Sequence, residues 1–335
     1  MKYSKISIIT PSFNQAQYLE QTILSVLNQN YPNLEYIIID GGSTDGSVEI
    51  IKKYEKHLAY WVSEKDNGQS EAINKGIKKS TGEIINWLNS DDYYEQDTLH
   101  KIANAFSNKE TNVVCAHGKI FDSKTNTTLY ISNGTDIYDN NLPKTIGWAR
   151  IDQPETFFRK SVFDTLGLLN PDLRYLMDRE FWLRYLFFYG LNGIKKMDAV
   201  IVNFRIHPQS KTSNQKSFFQ IEHDTLFYQL AKQHSLHSHQ NFIKQNFSIN
   251  EDIEMTMINS DNFPELIGRA LNYYLLLRAN EFYASDQKKN AQKILAQIKI
   301  NLLSDKDRQL YKKLHFRNKF IPVPVLNLIR KILHQ

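Results

Sequence analysis

Asn86-Trp87-Leu88-Asn89-Ser90-Asp91-Asp92-Tyr93-Tyr94 decides how this chain is read. An apolar run, Ile84 to Leu88, stops at two adjacent carboxylates. A strand there delivers both acids to its C-terminal end, at the mouth of a sheet. Open α/β sheets bind their ligands at that end. Neighbouring carboxylates repel each other, so a cation is expected beside them. A divalent ion such as Mg²⁺, held by one or two carboxylates plus substrate phosphates, fits that position. An Asp-Asp pair alone also suits a solvated turn, and the flanking sequence bears on the choice.

Upstream, Ile6-Ser7-Ile8-Ile9 is a β-branched run ended by Thr10-Pro11-Ser12-Phe13-Asn14. Leu19, Ile23, Val26 and Leu27 then fall at helical spacing, with Asn14 or a neighbour as the cap. Tyr36 to Ile39 predicts a second strand closed by Asp40. Gly41 to Ser47 is a tight loop opening a helix with Val48, Ile51 and Tyr54 on one face. Tyr60-Trp61-Val62 predicts a third strand, Asp66-Asn67-Gly68 a turn, and Gln69 to Lys79 a helix. This β-α-β-α-β-α-β alternation predicts a parallel sheet flanked by helices. Loops Thr10–Asn14, Asp40–Asp45 and Ser90–Asp92 then meet on one edge. Strands about 4.8 Å apart let these loops surround one ligand.

Beyond Asp97 a helix (Leu99, Ile102, Phe106), a strand (Val113 to Ala116), a hairpin region and the short strand Thr156-Phe157-Phe158 follow. A strongly apolar helix begins near Met177, and Ala199 to Phe204 is the last strand. From about Ser217 helical periodicity dominates. Leu266, Ala270, Tyr273, Tyr274 and Leu277 form one stripe, and Ala291, Ile294, Leu295 and Ile298 another. The expected division is 1–215 as an α/β domain and 216–335 as a helical region.

The 335 residues are 41% hydrophobic and 12% aromatic, enough for a large packed core, and the formal charge of +5 is too modest to argue nucleic-acid binding. Cys115 is the single cysteine, which excludes an internal disulfide and a cysteine-built zinc site. With no signal-peptide pattern and no long apolar run, the expectation is a cytoplasmic protein.

These stretches together resemble family 2 glycosyltransferases of the GT-A fold. The matching motifs are Ile8 to Asn14, Asp40 to Gly46, Asp66-Asn67-Gly68 with Asn74-Lys75-Gly76, and Asn89 to Asp92. Gln153 to Phe158 and Met177 to Trp182 complete the set. The resemblance covers about residues 1–215. It implies an inverting, metal-dependent transfer of a sugar from a nucleotide-sugar donor, most often a UDP-sugar, to a hydroxyl on a glycan or lipid-linked acceptor. It places the chain in cell-surface polysaccharide or glycolipid synthesis. It assigns Asp178 as the catalytic base, since Met177 stands where many relatives carry Glu. It assigns Asp92, with His207, to Mn²⁺ or Mg²⁺. Asp91 is assigned to ribose or sugar hydroxyls, Asp40 and Asp66 to base or ribose, and Pro11 and Phe13 to packing on the base. One departure is Gly41, where many relatives carry a second acid. Asp40 and Asp45 also suit turns that cap the following helix. Phe181 and Trp182 read as core, and Gln153 and Glu155 as surface groups or an acceptor-side loop.

Two other functions fit a similar sheet. A nucleotidyltransferase would carry a Gly-rich basic loop after the first strand, and Thr10 to Asn14 has neither Gly nor Lys. A non-catalytic nucleotide-sugar-binding module would need no placed base such as Asp178. Finally, Tyr311 to Gln335 holds six Lys or Arg and no acid. From Pro324, Val325, Leu328, Ile329 and Ile332 form a stripe that suits peripheral membrane contact or packing on the preceding helices.

Overall fold

The computed structural model describes residues 3–256, 264–321 and 325. The alternation expected of the first ninety residues is present as β1 (Ile6–Ser12), α1 (Ala16–Leu27), β2 (Leu34–Asp40), α2 (Ser47–Tyr54), β3 (Tyr60–Ser63), α3 (Gln69–Lys79) and β4 (Ile84–Trp87). Then come β5 (Tyr93–Tyr94), α4 (Thr98–Ala105), β6 (Val113–Asp122), β7 (Thr127–Ile131), α5 (Leu142–Trp148), β8 (Thr156–Arg159), α6 (Lys160–Leu166), α7 (Met177–Tyr189) and β9 (Ile194–Ile206). The remaining helices are α8 (Lys211–Asn214), α9 (Lys216–Gln233), α10 (His237–Asn246), α11 (Pro264–Ala284), α12 (Lys288–Leu295) and α13 (Asp305–Phe320).

The strands form one sheet in the order β3-β2-β1-β4-β8-β6-β9-β5, with β7 paired to β6. The first four are parallel. The second half is mixed, because β8 runs antiparallel to both β4 and β6 while β9 runs parallel to β6. The sequence expectation of a mostly parallel sheet therefore holds for the half built from β-α-β units. Register sets the site: Ser12 lies opposite Asp40, and Asp40 opposite Ser63. Ile6, Ile8, Ile38 and Ile84 of the sheet pack with Leu19, Ile23, Ile51, Leu99 and Ile102 of the helices as one buried cluster.

The start of α1 is not capped by Asn14. The Asp45 carboxylate accepts from Ala16 N at 2.9 Å, and Ser47 Oγ accepts from Gln15 N at 3.2 Å. Asn14 sits at φ 52° and knits two loops instead: its Oδ1 accepts from Thr44 N and its own N donates to Ser43 Oγ.

The chain forms two compact units. One comprises 1–137, 150–225 and 249–256, and the other 138–149, 226–248 and 257–335. The expected single cut at 215/216 thus meets an interleaved chain, because α5 packs on α11. A Cβ at Gly147 would lie 2.3 Å from Ala270 O and 2.6 Å from Tyr273 Cβ, so only glycine permits this approach. Lys144 Nζ and Asp307 Oδ1, 2.6 Å apart and largely buried, close the second unit. Gly147→Ala is expected to destabilise this unit by about 1–3 kcal/mol through overpacking, read as a lowered melting temperature.

Helix α11 is buried around most of its circumference, Asn272 and Arg278 included, so a single stripe understates its packing. Ala291, Ile294, Leu295 and Ile298 are buried as expected. The stripe Leu328, Ile329 and Ile332 lies outside the described residues. Among the described residues no helix is long and apolar enough to cross a membrane.

Candidate active site

Each strand-end loop is shaped by its own carboxylate. Asp40, fully buried at the end of β2, accepts from Gly42 N, Ser43 N, Ser43 Oγ and Ser63 Oγ at 2.5–3.1 Å. Those four donors occupy it, so its immediate work is holding the loop. Asp66 differs. Its Oδ1 accepts from Gly68 N at 2.9 Å, its side chain is half-buried, and burial raises its pKa. A Cβ on Gly41 would come within 2.9 Å of Asp66 Oδ2. The glycine that replaces the second acid of many relatives therefore leaves room for the Asp66 carboxylate. Pro11 is buried within β1, opposite Ile39, while Phe13 stands 60% exposed beyond the strand.

The adjacent acids differ in burial. Asp92 is buried, and its Oδ1 accepts from Arg205 N at 2.9 Å. Burial first, and the charge of Asp91 second, push its pKa well above the usual carboxylate range. Asp91 keeps a partly open side chain with Oδ2 3.0 Å from His207 Nε2. Gln209 N donates to His207 Nδ1 at 3.3 Å, so in the neutral ring Nε2 is the donor to Asp91. Arg205 locks this corner: Nε donates to Asp91 O, Nη2 to Gln21 Oε1, and the guanidinium lies 4.6 Å from the Tyr18 ring and 4.9 Å from that of Phe121. Among the described residues no group of three or more His, Cys, Asp or Glu side chains is placed to hold a metal ion by itself. Asp91 can supply one ligand, which fits a cation completed by substrate phosphates, and His207 can supply a second if its ring proton moves to Nδ1 in place of the hydrogen bond from Gln209 N.

Asp178 occupies the first turn of α7. It keeps a partial opening to solvent while protein surrounds it. Burial raises its pKa to about 6 against the opposing Arg179 charge, and Asp152 pushes the same way. Asp152 itself is raised to about 6 by burial. Two side-chain routes tie this region to the acid-pair loop. Gln153 Nε2 donates to Asn86 Oδ1 and Trp87 O, both at 2.8 Å. Gln69 donates to Asn89 Oδ1, and Lys211 Nζ donates to Gln69 Oε1 and Arg174 O.

Several residues carry meaning that the sequence concealed. Glu222 of α9 accepts from three successive backbone N–H groups, Arg174, Tyr175 and Leu176, at 2.8–2.9 Å, which fixes the entrance to α7. A glutamate inside a helix carries no sequence signal for a loop so far upstream. Arg205 and Lys211 were equally silent. Gln153 and Glu155 are buried, not surface groups. Glu155 accepts from Ser132 Oγ, and burial raises its pKa to about 8. Asn74 staples the 169 loop by exchanging two hydrogen bonds with the Leu169 backbone. Phe181 and Trp182 are core, as the sequence indicated.

Residues 7–167 match the family model described as "Glycosyl transferase family 2". An uncharacterized glycosyltransferase of Rickettsia prowazekii is 30% identical over 220 residues, spanning 62% of this chain and 66% of the relative, just under two thirds of its length. Staphylococcus aureus TarS 1–349, solved with UDP-GlcNAc, superposes with a TM-score of 0.59 at 16% identity, covering 98% of this chain and 92% of that one. The mannosyltransferase PcManGT of Pyrobaculum calidifontis, solved with GDP-Man and Mn²⁺, gives 0.52 at 16% identity, covering 96% and 88%. The sheet, the paired acids at its mouth and the match over residues 7–167 lead to one conclusion: that segment of the chain is a glycosyl transferase family 2 segment, within a GT-A fold.

Proposed function

We propose that the chain transfers a sugar, with inversion, from a nucleoside-diphosphate sugar to a hydroxyl of a glycan or lipid-linked acceptor. The observation that carries this reading is Asp178 in the first turn of α7, its pKa raised to about 6, in a fold whose strand-end loops gather Asp91 and Asp66 at the mouth of the sheet. In this reading Asp178 takes a proton and Asp91 faces the phosphates. The nucleotides in TarS and PcManGT support the donor class. Asp66, with no donor bonded to its Oδ2 among the described residues, and the exposed Phe13 ring suit the base and ribose. Asp91 would hold Mn²⁺ or Mg²⁺, joined by His207 Nε2 once the ring proton moves to Nδ1, while Asp92 ties the loop to β9 through Arg205 N. When bound, the cation neutralises charge on the departing nucleoside diphosphate. Asp178 accepts the acceptor hydroxyl's proton as that oxygen attacks the anomeric carbon, so no covalent enzyme intermediate is needed.

The reading is tested by thermal shift with a panel of UDP- and GDP-sugars, with and without Mn²⁺ or Mg²⁺. A donor present at a hundredfold its Kd stabilises by about 2.7 kcal/mol, and one nucleotide sugar is expected to raise the melting temperature only with metal. No shift from any donor with either ion would overturn the proposal. Metal-dependent hydrolysis of the same donor separates an enzyme from a binding module. The Asp66 assignment has its own check. Gly41→Ala should push the Asp66 carboxylate aside and weaken donor binding by about tenfold, or ~1.4 kcal/mol, with the melting temperature of the free protein nearly unchanged.

A further inference from the structure

Helix α13 has one face committed and one face idle. Leu314 and Asn318 are buried; Asn318 Nδ2 donates to Lys288 O and Tyr311 Oη to Leu295 O, each at 3.1 Å. These residues recur at helical spacing and pin the helix. The opposite stripe carries Lys312, Lys313, Phe316, Lys319 and Phe320, all exposed. Phe316 and Phe320 are 56% and 59% exposed, with ring centroids 4.9 Å apart. Lys319 Nζ lies 5.2 Å from the Phe320 centroid. Among the described residues no carboxylate pairs with Lys312, Lys313, Arg317 or Lys319. No Asp or Glu follows Asp307 anywhere in the sequence.

We propose that this face of α13 is a docking surface for an anionic lipid surface. The charge is one-signed and unneutralised, so its complement is a dense array of negative groups. Two adjacent phenylalanines between the lysines select a partner that also offers an apolar layer, which a headgroup and acyl boundary provides. Lysine stems can lie along that boundary with their ammonium groups at the phosphates. Attachment of this kind is reversible and is screened by salt.

The test uses the intact chain and sedimentation with vesicles of phosphatidylcholine alone or mixed with phosphatidylglycerol. Binding is expected only to the mixed vesicles and is expected to fall as salt rises. Each basic residue contributes roughly a fivefold factor, so Lys312→Gln, Lys313→Gln and Lys319→Gln together should lower vesicle affinity by about 100-fold. Phe316→Ser with Phe320→Ser should lower it by at least about tenfold. These side chains are exposed, so both variants should melt at the wild-type temperature, and that measurement guards against misfolding. Equal sedimentation with the two vesicle types would overturn the proposal. So would undiminished binding by the variants, which would move the contact off α13. A single-stranded oligonucleotide that binds as tightly, and loses affinity in the phenylalanine variant, would assign the face to nucleic acid and overturn it as well.

Discussion

Asp178→Asn is expected to lower turnover by about 10²–10⁴-fold, the usual share of a general base, while donor affinity stays near that of the wild type. The same substitution is expected to stabilise the protein at neutral pH. Burial lifts the folded-state pKa of Asp178 to about 6 from its ordinary value of 3.8. A carboxyl whose folded pKa is raised contributes stability below the unfolded value, and that contribution is lost as pH climbs through the folded value. The loss is complete above about pH 6 and amounts to at most about 3 kcal/mol. Asparagine carries no such penalty, so its melting temperature should exceed that of the wild type at pH 7 and converge on it near pH 4. Turnover of the wild type should rise with pH through about 6, as the base loses its proton. Melting curves and single-turnover rates across that range decide the matter. Loss of donor affinity with little change in turnover would remove Asp178 from the reaction.

The second large effect separates the adjacent acids. Asp91→Ala is expected to abolish metal-dependent donor binding and transfer, with the fold intact, because its carboxylate is the open one beside His207. Asp92→Ala is expected to act through stability. It leaves the buried Arg205 N–H without its acceptor, a deficit of about 1–3 kcal/mol. Asp92→Asn retains an oxygen for that N–H and should keep metal-dependent donor binding. Metal titrations of the three variants, read against their melting temperatures, make the division visible. A metal-blind but stable Asp92→Asn protein would return the ligand role to Asp92.

The division between these two acids was not legible in the sequence. Strand alternation gives the direction of side chains within β4, but the pair lies beyond its last residue, where loop geometry takes over. The acid that turns inward is decided by β9, more than a hundred residues away, whose Arg205 backbone needs an acceptor. What could be read were the features with local periodicity: the first four strands, their helices and the edge on which the loops gather. The antiparallel insertion of β8 and the two-residue strand β5 are tertiary outcomes with no such signal. Gly41 looked like a lost acid. Its meaning appears only with Asp66 in place, because the contact is between loops that follow two different strands.

Glu222 gives the site a timetable. The polypeptide emerges N-terminus first, and domains fold as their residues become available. The nine strands found among the described residues, and Asp178 itself, precede residue 215. The three N–H groups ahead of α7 remain unclasped until Glu222 has been made. A nascent or truncated chain ending between β9 and Glu222 therefore holds all the described strands and both acid loops, yet lacks the anchor that sets the entrance to α7. The start of the helix that carries Asp178 is thus fixed from downstream, by a residue made some forty positions later.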